Sequence, residues 1–119
     1  MTDTSHEQHA VAVKITMLLS GVVFLLMMIF GLVMRSAQGN LITIEPTLFY
    51  QILTAHGAGM VGTAALSGAA ILWYFMARYV PLLIGVYWAF IGLFLLGVVL
   101  ILGSIFFGGF AGAWTFLFP

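Results

Sequence analysis

The sequence predicts an all-α integral membrane protein of three transmembrane helices, and three observations lead there. Hydrophobic residues make up 64% of the chain and charged residues 5%, against roughly 45–50% and about 25% in soluble domains. Mean hydropathy is +1.24. The three basic and three acidic residues are placed so that three long runs carry no charge, and about 20 such residues cross a hydrocarbon core of roughly 30 Å as a helix. One membrane domain is expected over residues 1–119. A net charge of zero gives no electrostatic case for a nucleic-acid partner or a polybasic lipid-binding patch. The absence of cysteine removes disulfides, thiolate metal sites and Cys-attached haem.

Residues 1–13, MTDTSHEQHAVAV, read as a polar N-terminal tail. His6 and His9 would share one side of a helix, but two ligands make a poor metal site, and a solvated terminus is expected. The first helix is predicted over about 14–35, entered at Lys14 and closed by Arg35. Its apolar run exceeds the roughly 7–15 residues of a signal-peptide core. Ser20, Gly21 and Gly31 interrupt its bulky side chains and admit a neighbouring helix.

Residues 36–45 form the extended polar connection, with Gly39 and Asn40 as turn formers, and Pro46 suits a first helical turn. The second helix is predicted over about 46–78. No charge occurs between Glu45 and Arg78, and residues 47–77 would measure about 46 Å as a straight helix, so it tilts or protrudes. The third helix is predicted over about 81–107, with Tyr87, Trp88 and Trp114 as interface markers and Gly108, Gly109 and Gly112 bending or ending it. Lys14 and Arg78 fall on one side and Arg35 on the other, so the positive-inside tendency places the N-terminus in the cytoplasm.

His56 is the only histidine outside the N-terminal tail, and it sits within the second charge-free run. An intramembrane imidazole is a functional-site candidate by default. Its helical face adds Gly59, Met60, Thr63 and Ser67 in one direction and Leu53, Ile52 and Phe49 in the other. Small residues on that face leave space for a planar macrocycle. They equally admit another helix, since Ala58 with Gly62 and Gly59 with Thr63 are small-x-x-x-small pairs. Iron ligation and a structural hydrogen bond both remain open on this reading.

The segment FYQILTAHG at residues 49–57, followed by Met60, resembles the second transmembrane helix of subunit I of the haem-copper oxygen reductases. In that family a Thr-Ala-His-Gly-like motif carries a low-spin haem ligand. The end of the chain, GGFAGAWTFLFP at 108–119, is similar to the stretch where the family's third helix reaches the outer surface. The resemblance implies that His56 is an axial ligand of a low-spin haem iron, and that these three helices belong to a larger bundle of the twelve-helix type. It implies electron transfer from cytochrome c or quinol towards dioxygen, coupled to proton translocation, in a prokaryotic cytoplasmic membrane. It further implies oxidase subunit II as a partner, and the second axial histidine, the copper ligands and the high-spin haem ligand on helices beyond Pro119. The chain is therefore expected to be a fragment or one part of a split subunit. It departs from the family in lacking an arginine inside the first span, and in lacking an acidic residue in the connection from Tyr74 to Pro81. Two other readings stand beside it: a small b-type haem protein in which two copies each donate His56, and a non-catalytic structural subunit in which His56 hydrogen-bonds a neighbouring helix.

Overall fold

A computed structural model describes residues 3–110, with side chains from His6 onward. The described chain is all-α. Helix α1 spans Asp3–Gln38, α2 Pro46–Met76 and α3 Ile84–Phe106, and all three are long and apolar enough to cross a membrane. The protein is thus read as an integral membrane protein. Leu18, Leu32, Leu93 and Leu100 project outward, as hydrocarbon-facing side chains do.

Two short connections reverse the chain. At the end of α1, Leu41 N–H donates to the Ser36 carbonyl and Asn40 N–H to the Ala37 carbonyl, with Asn40 at φ 58°. This pair of bonds with a left-handed residue between them is a Schellman closure, and it is Asn40 rather than Gly39 that takes the left-handed conformation. Glu45 then caps α2: its backbone is extended, and its carboxylate accepts from Leu48 N–H at 3.0 Å, with Pro46 in the first turn. At the far end of α2, Pro81 lacks an N–H and disfavours helix in Val80. The chain stays non-helical until Ile84, three residues later than the sequence suggested.

The cap fixes the protonation of Glu45. Backbone N–H bonds from Thr47 and Leu48, and the Thr47 side chain, hold its carboxyl below the usual range. A lowered folded-state pKa means that the cap is fully present above the ordinary carboxylate pKa and is lost as pH falls through the lower folded value. Hydrogen exchange at the Leu48 amide, corrected for intrinsic rate, should therefore keep its protection through the ordinary carboxylate range and lose it only as pH falls below that range. In Glu45→Ala it should be unprotected throughout. Protection in the wild type that ignores pH would show that the carboxylate does not hold the turn.

Helices α1 and α2 run antiparallel along much of their length, from His9 against Trp73 to Met27 against His56. Helix α3 touches the pair along a narrower stripe. Its main anchor is a core of Ala12, Val13, Leu66, Ala70, Tyr87 and Ile91 near the start of α1. Tyr87 is 1% exposed. Its O–H donates to Thr16 Oγ1 at 2.7 Å, Thr16 donates onward to the Ala12 carbonyl at 3.0 Å, and its ring lies 5.2 Å from that of Trp73. Near the other end, Gln51 Nε2 donates at 2.9 Å to the carbonyl of Ile105, which lies in the last turn of α3 and has no donor within the helix.

The expected polar tail requires correction. Helix α1 extends back to Asp3, and His9 is 4% exposed rather than solvated. Its ring lies 6.0 Å from that of Trp73, whose indole N–H donates to His9 Nδ1 at 3.0 Å. The overlong α2 runs alongside the tail and covers it. Trp114 and the rest of 111–119 lie outside the described residues.

Candidate functional site

His56 sits ten residues into α2 and reaches across to α1. Its Nδ1 lies 2.7 Å from the carbonyl oxygen of Met27, and because a carbonyl only accepts, Nδ1 carries the proton. That carbonyl already serves the helical N–H of Gly31 one turn on, and its second lone pair takes the imidazole. Gly31 makes the approach possible: a Cβ there would stand 3.2 Å from His56 Cε1 and 3.7 Å from Nε2.

The reciprocal contact lies one turn further along α2. A Cβ on Gly59 would stand 2.2 Å from Met27 Sδ and 3.0 Å from its Cγ, and Met27 is 4% exposed. The imidazole thus fills the space over Gly31 while the methionine fills the space over Gly59. The space that small residues promised a planar ligand on the Gly59 side is taken by Met27. Thr63, also on this face, is buried and donates to the Gly59 carbonyl at 2.7 Å, and Ser67 repeats the pattern to Thr63 at 2.8 Å. These hydroxyls are satisfied within α2. Of the other small pair, Gly62 faces Phe94 of α3.

What remains available on His56 is Nε2. The side chain is half-buried, and among the described residues Nε2 has no partner. With Nδ1–H fixed on a backbone carbonyl, the neutral ring presents its lone pair at Nε2. Metal-ligating histidines are commonly held in this way, their tautomer and orientation set by the other nitrogen. The residue therefore fits an axial haem ligand. No group of three or more His, Cys, Asp or Glu among the described residues could hold a metal ion.

Arg35 and Glu45, at the end of the bundle nearer His56, have local roles: Arg35 Nη1 donates to Gln38 Oε1 at 3.2 Å, and Glu45 caps α2. Of the residues singled out in the first helix, Gly31 takes the imidazole and Ser20 is buried, its hydroxyl without a hydrogen-bond partner among the described residues, while a Cβ on Gly21 would meet no other side chain within 4 Å. Met27 and His9 were missed by sequence reasoning. The signal for His9 was present, because His9, Ala12, Val13, Thr16 and Ser20 continue one helical face back into the tail. Met27 gave none, being one methionine among several in an apolar run. Comparison with known proteins finds no matching family, no matching curated protein and no matching solved structure.

Proposed function

We propose that this chain forms the first three helices of the catalytic subunit of a haem-copper oxygen reductase and supplies, through His56 Nε2, one axial ligand of its low-spin haem. The observation that carries this reading is the His56 Nδ1–H bond to the Met27 carbonyl, which sets the ligating tautomer at a Thr-Ala-His-Gly motif. When bound, haem supplies the one-electron chemistry, and the protein tunes it through ligand identity, hydrogen bonding and burial. The part played by this chain is to hold one imidazole in place against α1, between two glycine contacts. In this reading the remaining haem and copper ligands would come from helices outside these three. Oxidase subunit II is the expected partner, and cytochrome c or quinol the donor. The positive-inside tendency of Lys14 and Arg78 supports a cytoplasmic start of α1 in this reading, with His56 then in the outer half of the bilayer.

A second reading rests on the same bond. An imidazole that donates to Met27 also locks α1 to α2, and a structural subunit needs no more than that. Haem content separates the two. The purified wild-type protein, with the subunits that accompany it, should give a pyridine haemochrome spectrum with a low-spin component. His56→Ala should lose that component while helicity by circular dichroism is retained. An unchanged low-spin spectrum in His56→Ala, or no haem in the wild-type assembly, overturns ligation and leaves the structural role.

A further inference from the structure

The end of the bundle where α1 begins and α2 closes carries an open cleft lined by, among others, Glu7, His9, Tyr74 and Arg78. It lies about 27 Å along α2 from His56, so it is independent of any haem there. Two opposite charges line this cleft without pairing. Glu7 has no hydrogen-bond or ionic partner among the described residues. Arg78 stacks over Tyr74, Cζ 4.6 Å from the ring centroid, and donates one N–H to the Tyr74 hydroxyl. The rest of its fork of donors is uncommitted among the described residues.

His9 adds a third group. Its Nδ1 accepts from the Trp73 indole, so in the neutral ring the proton sits on Nε2, a donor with no partner among the described residues. The one fully sealed side-chain polar atom without a partner among those residues is Ser20 Oγ. Nε2 of the otherwise buried His9 is therefore reachable, and the cleft that His9 lines is the way in. The level is interfacial: Arg78 ends the charge-free run, and Trp73, Tyr74 and Tyr79 cluster nearby in the chain. Phospholipid headgroups lie at this depth.

We propose that the cleft holds the phosphoethanolamine headgroup of a phospholipid, with phosphate oxygens accepting from Arg78 and from His9 Nε2–H and the primary ammonium donating to the Glu7 carboxylate. A planar guanidinium is suited to phosphate. The carboxylate discriminates, since a choline headgroup has no N–H to donate and a glycerol headgroup has no cation. In a delipidated, membrane-extracted protein offered equal amounts of phosphatidylethanolamine, phosphatidylcholine and phosphatidylglycerol of the same acyl chains, native mass spectrometry should show the first retained about fivefold or more over each of the others.

Glu7 and Arg78 are exposed, so their variants should keep wild-type helicity. Glu7→Gln should bring the ethanolamine lipid down to the level of the choline lipid. Arg78→Gln should lower retention of all three. Equal retention by the wild type, or a preference that survives Glu7→Gln, defeats the proposal. Soluble phosphoethanolamine at the same concentration should leave the lipid in place; displacement by it would make the free compound, and not a lipid, the occupant.

Discussion

Truncating Tyr87 to alanine is expected to release α3 from the α1–α2 pair, at a cost of about 3–5 kcal/mol, the range for deleting a large buried ring. Tyr87 is among the largest fully buried side chains and joins the three helices at one point, with its ring on Trp73 of α2 and its hydroxyl on Thr16 of α1. Between lipid-embedded helices, association depends on packing and hydrogen bonds, because lipid tails are as apolar as the side chains they would replace. Removing the ring removes the packing. Tyr87→Phe isolates the hydrogen bond and should cost only about 0.6 kcal/mol, the average for such bonds within membranes. Thr16 still donates to the Ala12 carbonyl, so its hydroxyl keeps a partner after the change. Unfolding of both variants in mixed micelles by a denaturing detergent checks the order. An alanine variant no less stable than the phenylalanine variant would mean that α3 is anchored elsewhere.

Gly59→Leu carries the second large effect. A Cβ at Gly59 would stand 2.2 Å from Met27 Sδ, well inside contact distance. For Gly59→Ala the thioether can swing away, since methionine is flexible, and the cost should be small. A leucine needs the volume that Met27 occupies. It must push α1 from α2 and stretch the 2.7 Å bond from His56 to Met27, an overpacking cost of about 1–3 kcal/mol. Shortening the opposing side chain should relieve it. Met27→Ala alone should destabilise by about 2–5 kcal/mol through the cavity it opens, whereas Met27→Ala on the Gly59→Leu background should recover part of the loss. The two costs are therefore expected to be non-additive. Simple addition in a double-mutant cycle would show that the two side chains do not compete for one space.

The three spans were legible because charge in a bilayer is costly and the chain keeps its charges at the span ends: Lys14, Arg35, Glu45 and Arg78. The turn at Asn40 and the start of α2 at Pro46 were legible from local backbone chemistry. Span ends were less so. Leu83 and Met76 bound a connection three residues longer at its far side than its composition suggested, since Pro81 interrupts the backbone and the apolar pattern does not. His56 stood out because it is a lone imidazole in an apolar run. Its partner did not, because a backbone carbonyl of Met27 has no signature in a sequence. His9 was assigned to solvent on the polarity of its neighbours, and burial came from Trp73, which is 64 residues away.

By itself, then, the sequence determined that the chain holds three helices long and apolar enough to cross a membrane, where its turns fall, and which intramembrane residue is the candidate for a functional site. Those properties follow from the cost of charge in hydrocarbon and from the backbone preferences of Asn and Pro, which act locally. Only the tertiary structure decided that the small-residue face beside His56 is filled by Met27, that the imidazole is held by Nδ1 with Nε2 left over, and that the polar tail is helix packed under Trp73. Each depends on the register of two antiparallel helices, and register is set by side-chain volumes meeting across the interface, which no single stretch of sequence contains.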